Sequence, residues 1–129
     1  MHVDDDPDQL LFTKVILEDI DPRIRVESRS SPAEVDILEL DSFDCLISDY
    51  QMPVMDGVHL ARRVQKRSDI PIIKYTEKRR EELADEALRA GVDDYVEKKA
   101  DPHHYLRLHS SVLEVVGRRL TEIVARIIG

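Results

Sequence analysis

The sequence has no tryptophan, one cysteine, four glycines among 129 residues and no long apolar run. With Cys45 alone, an internal disulfide and a cysteine-based zinc site are both excluded. Beside Leu46 and Ile47 it reads as a small buried strand residue. Gly57, Gly91, Gly117 and Gly129 are too scattered to build a glycine-rich phosphate loop, which argues against a nucleotide-binding fold. No stretch approaches the roughly 20 apolar residues that span a bilayer. The acidic opening MHVDDDPDQL is no signal peptide. Excess positive charge is also missing: the net charge is −8. That argues against nonspecific binding to nucleic acid or to an anionic membrane, which needs a basic face. These absences place the expected protein in the cytoplasm, with no direct nucleic-acid partner and no membrane partner.

What is present is alternation. Hydrophobic residues make up 42% of the chain, enough for one ordinary core. MHV is a strand stub, and Pro7 to about Ile20 is an amphipathic helix with Leu10, Leu11, Val15 and Ile16 at helical spacing. RIRVES alternates as a strand does. Pro32 to Leu40 reads as a short helix capped by Ser31. DCLISD, IPIIKYT and DYVEK read as strands. Val58 to about Arg67, Arg79 to Ala90 and the segment from His103 onward read as helices, with Gly91 as a stop signal. Five strands interleaved with five helices predict an α/β protein: a doubly wound, five-stranded parallel sheet with helices on both faces. In such sheets, ligands sit outside the carboxyl ends of the strands.

Those ends carry related chemistry. Asp4 and Asp5 close the first strand, Asp49 the third, Thr76 the fourth and Lys98 the fifth. Clustered carboxylates raise one another's pKa unless a cation joins them. Oxygen ligands without histidine or cysteine favour Mg²⁺. Taken singly, DDDP also suits a solvated helix-capping turn, and Asp49 also suits a turn.

In order and spacing, VDDDP, DYQMPVMDG, IPIIKYT and AGVDDYVEK make the chain resemble a response-regulator receiver domain of the chemotaxis type over nearly its whole length. The resemblance implies the flavodoxin-like strand order 2-1-3-4-5. It implies that Asp49 is the phosphoacceptor for a sensor histidine kinase. It implies that Mg²⁺ is held by Asp4, Asp5, Asp49 and the backbone carbonyl of Gln51. Thr76 and Lys98 would contact phosphoryl oxygens, and Thr76 with Tyr95 would form the switch. Such a domain is a phosphorelay element that signals to an output domain or a downstream protein. It is not a turnover enzyme.

The chain departs from the family in four places. Lys99 stands where proline is usual, and a cis bond before a non-proline residue costs roughly 2.5–4 kcal/mol. The loop KKADP is similar to loops in receivers of archaeal multi-domain proteins. Glu77 follows Thr76 where a small residue is usual, with Lys78 beside it as a compensating charge. The first strand is short. Glu97 replaces an apolar residue and suits an edge-strand charge. Glu77 and Lys99 keep a second function open, a pseudo-receiver that binds protein with weak or no phosphorylation. A Mg²⁺-dependent phosphohydrolase fits less well, because Gln51 stands where a second acid is needed.

The expected boundaries are residues 1–116 for the receiver and 117–129 for a helical extension or the start of a linker. Leu106, Leu113, Val116, Leu120, Ile123 and Ile127 fit one heptad seam, interrupted by His109. The seam suits core packing with a frayed tail, or a dimerising or signalling helix; a homodimer is therefore one expected partner state. Gly117 is a candidate break in the helix. Adjacent His103 and His104 do not share a helix face and so make a poor metal pair.

Overall fold

A computed structural model describes residues 1–49, 57–77 and 91–129, with the side chains of 57–59 excepted. Strands β1 (His2–Val3), β2 (Ser28–Arg29), β3 (Leu46–Ser48), β4 (Ile72–Thr76) and β5 (Asp94–Glu97) form one sheet in the order β2-β1-β3-β4-β5. All four pairings are parallel. This is the doubly wound, flavodoxin-like arrangement. Helices α1 (Pro7–Ile20), α2 (Gly57–Gln65) and α3 (His104–Ile128) are described. The expected helix 79–90 lies outside the described residues, as do Gln51, the Met52-Pro53 turn, Asp56 and Lys78.

Strand side chains alternate between faces, and the two cores follow that period. Leu46 and Ile72 join Val3, Leu60 and Val64 on the α2 side. Ile47, Ile73 and Tyr75 join Leu17, Val96 and Leu108 on the side of α1 and α3. Apolar residues on both faces of β3 and β4 are what a covered parallel sheet requires.

Three local expectations are corrected. Residues 32–40 do not form one α-helix. They form two 3₁₀ turns, Pro32–Glu34 and Ile37–Ser42, started by the Ser31 and Asp36 side chains. Val35 lies extended between them and is buried in the core. The second strand is two residues long; Ile24 and Val26 precede it, with Val26 buried outside any ladder. On α1 the buried face is Leu10, Thr13 and Leu17, whereas Leu11 and Val15 are exposed. Thr13 tolerates burial because its hydroxyl accepts a hydrogen bond from Gln9 Nε2 at 2.9 Å.

The start of α1 follows the sequence closely. Pro7 occupies its first turn, and the Asp6 carboxylate caps it by accepting from the backbone N–H groups of Asp8 and Gln9. Gly91 has φ 68°, a left-handed conformation that favours glycine. Helix α3 runs unbroken through Gly117.

Candidate carboxylate and lysine site at the strand ends

The register of the sheet builds the site. Val3 pairs with Ser48, so the next residue on each strand, Asp4 and Asp49, leaves the sheet at the same level. The backbone N–H of Asp49 still donates to Val3 O at 3.1 Å. Thr76 pairs with Glu97 at the end of β4, and Lys98 follows, its N–H donating to Thr76 O at 2.7 Å. Four segments distant in sequence thus deliver their polar residues to one edge.

Carboxylate oxygens of Asp4, Asp5 and Asp49 all lie within 4.8 Å of one another. Asp4 is fully buried, Asp49 is 16% exposed, and Asp5 is exposed. Lys98 Nζ donates to Asp4 Oδ2 at 2.6 Å and lies 3.5 Å from Asp49 Oδ2. Asp4 Oδ1 accepts from the backbone N–H of Asp6 at 3.0 Å, which fixes the turn into α1. Burial raises the Asp4 pKa; the Lys98 and Asp6 hydrogen bonds oppose this, and the Asp49 charge adds to it. Lys98 pairs with Asp4 and Asp49, and Asp5 is grouped with them, so among these described residues carboxylates outnumber ammonium groups and a further cation would balance them. The all-oxygen donor set fits Mg²⁺. Asp49 combines access with a nearby cation, as a carboxylate nucleophile needs.

The other expected positions are placed as follows. Thr76 is buried, Tyr95 is half-buried, and Glu77 and Lys99 are exposed. There is no cis peptide bond among the described residues, so the bond between Lys98 and Lys99 is trans.

Beneath the carboxylates lies a buried polar layer that sequence reasoning missed. The Tyr75 hydroxyl and His104 Nδ1 are joined by a 2.6 Å hydrogen bond, and Gln9 Nε2 donates to the same hydroxyl at 3.3 Å. This links the residue before Thr76 to the first turns of α1 and α3. Lys98 Nζ lies 5.1 Å from the Tyr75 ring centroid, a cation–π distance. His2 is fully buried, its ring nitrogens without a hydrogen-bond partner among the described residues, with Nε2 3.9 Å from Asp4 Oδ2. Burial, helped by Lys98, pushes its pKa down to about 3, so it is neutral. His103 instead pairs with Asp101 at 2.6 Å, so the adjacent histidines do diverge. MHV read as a strand stub, but nothing local revealed that the His2 ring would lie 6.1 Å from that of Tyr75, tilted against it.

A family model described as the response regulator receiver domain matches residues 1–109. An uncharacterized 14.6 kDa protein encoded 3′ of sodA1 in Leptolyngbya boryana is 38% identical over 109 residues, covering 82% of each chain. The cyclic di-GMP phosphodiesterase response regulator RpfG of Xanthomonas campestris is 33% identical over 117 residues; these make up 88% of this chain but 31% of that protein. Among solved structures, the chemotaxis protein CheY4 of Vibrio cholerae superposes with a TM-score of 0.74 at 26% identity, covering 87% of this chain and 95% of that one.

Proposed function

Because the chain belongs to the response-regulator receiver family, we propose that Asp49 is the phosphoacceptor of a two-component phosphorelay. Receivers are signalling modules rather than turnover enzymes, and the chemistry asked of this site is one transfer and its later hydrolysis. A carboxylate oxygen of Asp49 attacks the phosphorus of a kinase phosphohistidine in line. The P–N bond breaks, its electron pair returns to the imidazole, and an acyl phosphate forms. Little covalent help is needed, so positioning and charge neutralisation carry the catalysis.

The observation that carries this reading is Asp49 itself: a partly exposed carboxylate at the end of β3, 3.5 Å from a lysine ammonium and grouped with two further carboxylates. Asp4, Asp5 and Asp49, with the Gln51 carbonyl as the expected fourth protein ligand, would hold Mg²⁺, which would supply positive charge toward the phosphoryl oxygens. Lys98 is shared between Asp4 and Asp49 before transfer. Afterwards it pairs with a phosphoryl oxygen, and the Thr76 hydroxyl donates to another. Tyr95, on the strand paired with β4, responds to the movement of Thr76. The signal then passes to a downstream protein or an output domain.

The test is mass spectrometry after incubation with Mg²⁺ and acetyl phosphate. Wild type gains one hydroxylamine-labile phosphoryl group, and Asp49→Asn gains none while keeping its circular dichroism. A folded wild type that never gains mass, with donor or with kinase, is the pseudo-receiver result and overturns the assignment. An equal gain in Asp49→Asn moves the acceptor elsewhere.

A further inference from the structure

Helix α3 carries more apolar surface than its own domain covers. Leu106, Leu113, Leu120 and Ile127 recur every seven residues and are all exposed. Gly117 and Val124 fall on the same face, and a Cβ at Gly117 would meet nothing within 4 Å. The inward face ends at Val115, and every residue from Thr121 to Gly129 is exposed. An apolar patch of this extent marks an interaction surface.

This face is also one wall of a groove of about 620 Å³ at the end of the sheet opposite the carboxylates. Leu113, Val116 and Leu120 form that wall, and Leu17, Val26 and Phe43 face them. The groove therefore flanks residues 113–120 of the helix, and the uncovered apolar tail is the stretch just beyond it.

We propose that the groove receives the tail of α3 from a second copy of this chain, the two helices running antiparallel. Groove and tail are consecutive on one helix, so a two-fold axis near Leu120 seats both tails in both grooves at once. Ile127 of each copy then lies near Leu113 of the other, and Val124 lies near Val116 and Gly117. Such a contact is isologous and closes on itself. Seven residues advance a helix by about 10.5 Å, and a partner helix with the same repeat matches the stripe along its length.

Charge favours the same occupant. From residue 117 onward the tail carries Arg118, Arg119 and Arg126 against Glu122, whereas the whole chain has a net charge of −8. A basic tail is attracted to the acidic body of another copy; the groove itself is of mixed charge, with Asp21, Glu27 and Asp44 beside Arg23 and Arg25. Antiparallel helix dipoles add to this. A parallel pair would match tail with tail and leave both grooves empty. The proposal does not depend on phosphorylation of Asp49.

Sedimentation equilibrium of the full chain, from micromolar to near-millimolar concentration, tests it. Wild type is expected to dimerise reversibly. Leu120→Glu, on an exposed position, should keep its circular dichroism and weaken association by about a hundredfold or more, because one leucine is lost from each side of the axis. Orientation is read by oxidative cross-linking mapped by peptide mass. Burial pushes the Cys45 thiol up to about 12, and because Cys45 also lines the groove the cysteine variants are built on Cys45→Ala. Leu113→Cys mixed with Ile127→Cys should give a disulfide-linked heterodimer, and Leu113→Cys alone should not. Three results overturn the proposal: a wild type that stays monomeric throughout, Leu113→Cys cross-linking to itself as readily as in the mixture, or a monomer that binds anionic vesicles through Leu120.

Discussion

Lys98 Nζ sits 2.6 Å from Asp4 Oδ2 and closes the charge balance of a carboxylate with no access to solvent. Removing one member of such a pair leaves an uncompensated buried charge. Lys98→Met should therefore destabilise the fold by about 3 kcal/mol, read by urea unfolding at pH 7 without divalent cations. Adding Asp4→Asn should restore most of the loss, because the orphaned charge is then gone. A single variant as stable as wild type would show that Asp4 is already neutral.

Glu77 is exposed beside buried Thr76. When ionised it repels an incoming phosphoryl group. Two like charges about 4 Å apart cost about 1 kcal/mol in water and about 4 kcal/mol at an effective dielectric of 20. The lower end suits an exposed side chain. Glu77→Ala should speed phosphorylation by acetyl phosphate roughly three- to thirtyfold, and should also speed hydrolysis of the product. Both rate constants are measured at fixed Mg²⁺ and salt. Equal rates in the two proteins would place the Glu77 carboxylate away from the donor's approach.

Stability should fall on acidification from neutral pH. Burial lowers the His104 pKa, as do Arg107 and Lys98, against a smaller opposing effect of Asp101. The folded state thus holds a neutral imidazole where the unfolded chain takes up a proton below about pH 6.5. More protons are bound by the unfolded state, so stability is complete above that pH and declines below it. Buried His2 acts with the same sign. Urea midpoints at pH 7.5 and 5.5 should differ more for wild type than for His104→Gln, which loses the Tyr75 bond at both pH values but has nothing to protonate. Identical slopes would exclude His104 from the effect.

Much of this was legible in the sequence because the parallel sheet writes its needs locally. β3 and β4 lie buried on both faces, so their apolar runs stand out, and the site hangs from the residues that end those runs. Asp4, Asp5, Asp49 and Lys98 could be placed together before any coordinates. Helix α1 was harder. Leu11 and Val15 fit a helical period as well as Leu10 and Leu17 do, and period alone does not choose which face turns inward. The choice was made by Thr13, a polar residue whose hydrogen bond to Gln9 lets it lie inside. The expected helix 32–40 failed for another reason: Ser31 and Asp36 each cap a separate turn, and two short capped turns resemble one helix in composition. The bond between Tyr75 and His104 joins positions 29 apart, and no local pattern announces it.

The placement of β1 between β2 and β3 has a consequence for how the chain acquires competence. The strand is only two residues long, and its neighbours on both sides are synthesised after it. The carboxylate at position 4 meets that at position 49 only once β3 has docked, and neither has its ammonium until residue 98 arrives. A nascent chain that has not yet completed β5 holds the acidic residues without the group that balances them. Contacts of such sequence separation carry a loop-closure cost that slows folding. On the proposed function, readiness to accept a phosphoryl group is therefore a property of the finished sheet.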